Sequence, residues 1–235
     1  MNIFIPDGEP IGARLRAVQQ RIAQAEQRFG RIPGAVTLLA VSKGWPVSAL
    51  HAVRTAGQAF FGESYLQEAL PKIDALHNHG IEWHFIGPLQ SNKTKQIAQH
   101  FSWVHSVDRE SIARRLSAQR SATLQPLNIC LQVKVGDEAQ KQGVDVHDLA
   151  ALERLAESVS ELPHIKLRGL MAIPAPLQTF DEQRRLFSAV REVFERLNQN
   201  GWGLDTLSMG MSNDMEAAIA EGATLVRIGS AIFDG

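Results

Sequence analysis

The chain has 235 residues, enough for one full-sized core, and its 44% hydrophobic and 21% charged composition excludes a disordered or fibrous protein. With 24 basic and 25 acidic residues the formal net charge is -1, so no global field draws in nucleic acid or an anionic membrane, and any anion must be bound locally. The single cysteine, Cys130, lies in an apolar run, and the opening MNIFIPDGEP has neither the basic region nor the apolar core of a signal peptide. No stretch approaches the roughly 18 apolar residues of a membrane span, so a cytoplasmic protein is expected.

In chain order, Ile11, Leu15, Val18, Ile22 and Ala25 recur at helical spacing and predict an amphipathic helix over 11–29 that ends at Gly30. Short apolar runs then predict strands at 36–41, 59–61, 83–86, 103–107, 128–135, 167–173, 206–209 and 225–228. Helical patterns fall between them at 47–56, 65–77, 93–100, 109–121, 146–160, 180–200 and 214–221. Eight βα alternations in this length predict an α/β fold, a single (β/α)8 TIM-type barrel over 1–235 with an extra N-terminal helix. Only residues 231–235 follow the last strand, so its helix is expected to be missing and the opening helix to cover the gap.

Functional residues of such barrels gather where strands end, so the polar residues after each apolar run are the candidates. Lys43 follows LLAVS directly, where desolvation and neighbouring cations would make its amine a nucleophile toward aldehydes; a solvent-reaching lysine is the plain alternative. The loop 210–214 runs into the helical pattern MEAAIAEGA, with Ser212, Asn213 or Asp214 as cap. Together with Gly229-Ser230 it offers main-chain N–H groups to an anion, as phosphate sites after the last two strands of barrels do. Arg227 alternates with Val226 and Ile228 and should point into the barrel. His84, between apolar neighbours, is first a core residue. No His or Cys spacing suggests a metal.

The segments LLAVSKGWP, FGESYLQEAL, EWHFIGPLQSNKTK, VHSVD, RGLMAI and LSMGMSNDMEAAIAEGATLVRIGSAIF closely resemble the pyridoxal phosphate homeostasis proteins, the YggS and PROSC family, over 38–233. That family looks like the N-terminal barrel of alanine racemase standing alone. The resemblance implies pyridoxal 5'-phosphate (PLP) as cofactor, held as a Schiff base on Lys43, with its phosphate at Ser212 and the Gly229-Ser230 backbone. It further implies Arg227 on the pyridine-nitrogen side and ring-flanking contacts from Met209 and His84. Ser64 stands where the family has Asn, and Lys134 stands at a second such position, adding another amine.

Three functions compete on these residues. The resemblance favours a PLP carrier or buffer in intracellular PLP homeostasis, affecting amino-acid and keto-acid balance indirectly, without efficient turnover. A single-domain PLP-dependent racemase would need two bases, yet Tyr65 is the only tyrosine and the chain stops where its barrel stops. A Schiff-base aldolase would need an acid or base beside Lys43, for which Glu63 could serve. An arginine beside the pyridine nitrogen discourages ring protonation and weakens the cofactor as an electron sink. The expected partners are PLP itself and PLP-dependent apoenzymes, with no nucleic acid or membrane, and the chain is expected to be a monomer.

Overall fold

A computed structural model describes residues 10–136 and 142–234. Nine strands are assigned there: β1 (Thr37–Val41), β2 (Phe60–Glu63), β3 (Glu82–Phe85), β4 (Trp103–Val107), β5 (Leu127–Lys134), β6 (Val144–Asp145), β7 (Ile165–Ala172), β8 (Thr206–Ser208) and β9 (Leu225–Ile228). All pairings among them are parallel. Eight strands close a ring in the order β1-β2-β3-β4-β5-β7-β8-β9, with β9 returning to β1, and β6 pairs only with β5 on the rim. The eight-stranded barrel is thus the fold that the alternation predicts.

The period of two along each strand separates two environments. Leu38 and Ala40 of β1, and Val226 and Ile228 of β9, join the large apolar cluster shared with the helices. Their neighbours turn the other way, and Arg227 enters the barrel as its alternation predicts. The barrel interior is less apolar than the outer layer. It holds a small cluster of Trp103, Cys130 and Met171 beside the buried polar residues His84, His105, Ser208 and Arg227. Desolvation pushes the Cys130 thiol up to about 12, so it is an inert filler.

Helices α1 (Ile11–Arg28), α2 (Val47–Thr55), α3 (Leu66–Ala75), α4 (Thr94–His100), α5 (Glu110–Gln119), α6 (Leu149–Ser160), α7 (Phe180–Gln199) and α8 (Met215–Ala220) wrap the barrel. The longest, α7, starts with a reciprocal cap in which Thr179 accepts from Glu182 N–H and the Glu182 carboxylate accepts from Thr179 N–H. A final turn, α9 (Ser230–Phe233), corrects the expectation that no helix follows the last strand; four residues are too few to show a period in sequence. Leu15, Val18, Ile22 and Ala25 of α1 face inward, and the helix packs against α2, α8 and α9. Arg14 Nε donates to the Ile232 carbonyl at 2.8 Å, fastening α1 to that last turn. No described helix is long and apolar enough to cross a membrane.

Candidate functional site at the C-terminal mouth

A cavity of about 550 Å³ opens where the barrel strands end. Lys43, Ser64, Ser212, Arg227, Gly229 and Ser230, from four separate stretches of sequence, all line it.

Lys43 sits in the turn that leaves β1, exposed, with no hydrogen bond or ion pair among the described residues. Its setting is a rim rather than the desolvated one expected, because the chain has already left the barrel wall. The turn itself is pinned on both sides. Lys72 Nζ on α3 donates to the Ser42 carbonyl and to Glu63 Oε1, each at 2.8 Å, and Gly44 N–H donates to Glu68 Oε2 at 2.9 Å. Glu63 is fully buried, accepts also from the Ser42 hydroxyl at 2.6 Å, and keeps Oε2 without a partner. Burial pushes its carboxyl up, against the opposing pull of Lys72. It does not line the cavity, so it is not placed to act as acid or base for chemistry at Lys43.

The candidate anion cradle lies at two short helix starts. The loop after β8 turns at Gly210, whose φ is +96° and whose missing Cβ would lie 2.6 Å from the Ala218 Cβ, so a side chain there is excluded twice over. Asp214 precedes α8 but does not cap it; its carboxylate folds back to accept from Met211 N–H at 2.6 Å, bracing the loop. Burial raises the Asp214 carboxyl, partly offset by that bond. The second start is Gly229-Ser230, where a Cβ on Gly229 would press on the Val41 carbonyl at 3.1 Å. The first N–H groups of a helix have no partner within it, so Ser230 and Ala231 offer theirs outward. The Ser212 and Ser230 hydroxyls lie 3.2 Å apart, close enough to bind one shared anion.

Arg227 reaches the floor of the cavity from inside the barrel. Its Nη1 donates to the Ser208 carbonyl at 2.6 Å and hydroxyl at 2.8 Å, and its Nη2 to the Ala172 carbonyl at 2.9 Å. Desolvation lowers the guanidinium to about 10, partly offset by Asp214, so it stays a cation at neutral pH.

Two expected residues are not brought to this cavity. Met209 is fully buried in the outer apolar cluster, and Met211, two residues on, lines the cavity instead. His84 lies deep in the barrel, stacked on Trp103 at 5.3 Å, and lines a different cavity at the opposite mouth. Tyr65 is 54% exposed and outside the site. Lys134 likewise stays out, with its ammonium 3.9 Å from Asp145. Sequence reading missed Arg21 of α1, which donates to Glu216 at 2.8 Å and to the Ser212 carbonyl at 3.3 Å and so ties the cradle to the extra helix. It also missed 176–178 and Gln183, which close one wall. Neither follows a strand directly, so the strand-end rule gave no signal. Among the described residues no three His, Cys, Asp or Glu side chains are arranged to hold a metal ion.

The family profile described as alanine racemase, N-terminal domain, matches residues 13–235. The pyridoxal phosphate homeostasis protein of Pseudomonas aeruginosa is 55% identical over 223 residues, covering 95% of this chain and 94% of that one. Its namesake in Escherichia coli K12 is 50% identical over 226 residues, covering 95% of each chain. Among solved structures, PipY of Synechococcus elongatus PCC7942 with PLP bound is 36% identical, with a TM-score of 0.80 over 95% of this chain and 99% of that one.

Proposed function

The chain belongs to the pyridoxal phosphate homeostasis proteins, within the alanine racemase N-terminal domain family, and we propose that it binds PLP on Lys43 as a carrier or buffer in the cytoplasm. The observation that carries this reading is the convergence of a lysine amine, a double-serine anion cradle and a buried arginine on one cavity of suitable size. Gly229, with no Cβ to press on the Val41 carbonyl, lets the loop after β9 sit close to β1, and Ser212 and Ser230 supply hydroxyl donors for a phosphate. Ser64 and Met211 stand on the cavity wall.

Bound, the cofactor supplies an aldehyde that an amine can hold reversibly and an electron sink whose strength the protein tunes. Lys43 is the accessible amine. Arg227 is a permanent cation at neutral pH, and a cation at the pyridine-nitrogen side opposes ring protonation and weakens that sink. Among the described residues lining the cavity only Lys43, Asp214 and Arg227 carry ionisable side chains, and Asp214 is engaged with Met211. No second base faces a substrate carbon there. This favours retention and release of the cofactor over turnover, with apoenzymes that need PLP as the recipients.

The test pairs binding with turnover. PLP should bind far more tightly than pyridoxal, which lacks the phosphate, and the loaded protein should neither racemize nor deaminate any L- or D-amino acid at an appreciable rate. Equal affinity for the two aldehydes would remove the phosphate cradle, and turnover of about 1 per second or faster that vanishes in Lys43→Ala would replace the carrier with an enzyme.

A further inference from the structure

A line of hydrogen bonds crosses the barrel from its far mouth to Arg227. At the N-terminal ends of the strands a second cavity, of about 380 Å³, opens between Glu82, His84, Trp103, Arg168 and Asp205. Glu82 Oε1 accepts from Trp103 Nε1–H at 2.8 Å and lies 3.2 Å from His84 Nε2. His84 Nδ1 is 2.9 Å from His105 Nε2, His105 Nδ1 is 2.8 Å from Ser208 Oγ, and Ser208 Oγ accepts from Arg227 Nη1 at 2.8 Å. Glu82 and His84 on β3, and Trp103 and His105 on β4, are each two residues apart and so share the inner face. From His84 to Arg227 no member is more than 4% exposed, so solvent does not stand in for any link.

The direction of every proton along this line follows from elimination. Burial lowers both imidazoles below their ordinary range, so each is neutral and carries one N–H. The Glu82 carboxylate, held below its usual range chiefly by the His84 bond, can only accept. His84 therefore carries its hydrogen on Nε2 and accepts at Nδ1. His105 must then donate from Nε2 and accept at Nδ1. A guanidinium cannot accept, so Ser208 receives Arg227 with a lone pair and gives its own hydrogen to His105. Each bond polarizes the next, and a carboxylate at one end makes the Ser208 oxygen a better acceptor at the other.

We propose that Glu82, His84, His105 and Ser208 form a one-way positioning relay for Arg227, through which the far mouth of the barrel sets how the cofactor site meets the ring. This rests on the reading of Arg227 as a cofactor-site residue. Without the acceptor at position 82, nothing fixes the His84 tautomer. In the reversed arrangement His105 donates to Ser208, which then receives two donors and holds Arg227 less well.

The relay is tested by 15N NMR of the imidazoles and by the visible spectrum and affinity of the PLP-loaded protein, in wild type, Glu82→Gln and Glu82→Ala. Wild type should show His84 and His105 both neutral with hydrogen on Nε2, and Glu82→Gln, which keeps an acceptor oxygen, should preserve this. Glu82→Ala should give mixed tautomers at His105, a residue that does not touch position 82, with an altered cofactor band and about threefold weaker PLP binding. That loss corresponds to roughly one weak hydrogen bond. Hydrogen on Nδ1 of His105, or an imidazolium at either site, in wild type overturns the relay. Altered tautomers with an unchanged cofactor band overturn its coupling to the site. If wild type binds no PLP, the cofactor reading fails, while the wild-type tautomers still decide the relay, as they do if Glu82→Ala does not fold.

Discussion

Ser212 lies on a half-buried loop, its hydroxyl 3.2 Å from that of Ser230 where the two helix starts meet. Replacing it with alanine should weaken PLP binding by about 1–3 kcal/mol, the range for a hydrogen bond to a charged group, while binding of pyridoxal stays unchanged in a parallel titration. Lys72 never touches the cavity, yet it neutralizes buried Glu63 and holds the Ser42 carbonyl beside Lys43. Lys72→Met should cost about 3–5 kcal/mol in denaturant unfolding, because it strands a buried carboxylate. A loss below about 1 kcal/mol would mean that the pair is replaceable. Single residues were unevenly legible. Lys43, Ser212 and the Gly229-Ser230 pair follow strand ends, and Arg227 alternates within β9, so barrel geometry tells in advance what they face. Met209 and Met211 are the same residue type two positions apart, and only the turn at Gly210 decides which one reaches the cavity. His84 was readable as a core residue, but its line to His105 and Ser208 joins three strands and leaves no local trace in sequence.

At the scale of elements, α1 has a task beyond covering the barrel wall. Arg21 bridges α1 to Glu216 on α8 and to the Ser212 carbonyl, so the helix outside the βα repeat braces the proposed anion cradle. Arg21→Ala should lower stability by only about 0.5–1 kcal/mol, as for a partly exposed ion pair, and should weaken PLP binding without affecting pyridoxal. Equal losses for both aldehydes would place the effect on the whole barrel mouth. The eight barrel strands were legible because each apolar run is bounded by turn residues and all but the last are followed by a helical period. The two-residue β6 and the single turn α9 were not, since elements that short carry no period and arise from pairing with β5 and packing on α1.

Across the whole molecule, the two mouths of the barrel differ in kind: one presents the Lys43 amine and the paired Ser212 and Ser230 hydroxyls, the other an ion-pair network. At the far mouth Arg168 grips Asp205 with three hydrogen bonds, from Nε to Oδ1 at 2.9 Å and to Oδ2 at 3.0 Å and from Nη2 to Oδ2 at 2.8 Å, and lies 4.7 Å over the Trp103 ring. Burial pushes the Asp205 carboxyl up, but the bonds from Arg168 and Thr206 outweigh it and the net shift is downward. A depressed carboxyl stabilizes the fold above its unfolded pKa and loses that contribution as pH falls through its folded value. Asp205→Asn should therefore cost about 0.5–1 kcal/mol at neutral pH for this half-exposed pair. In thermal melts the difference from wild type should shrink as pH falls below about 4, and a gap that persists in acid would mean that charge is not its source. The account as a whole turns on which lysine meets the cofactor at the opposite mouth. Borohydride reduction of the PLP-loaded protein followed by peptide mapping measures this directly: the account predicts the pyridoxyl label on Lys43, and a label carried mainly by Lys134, Lys93 or another lysine, with Lys43 free, would contradict it.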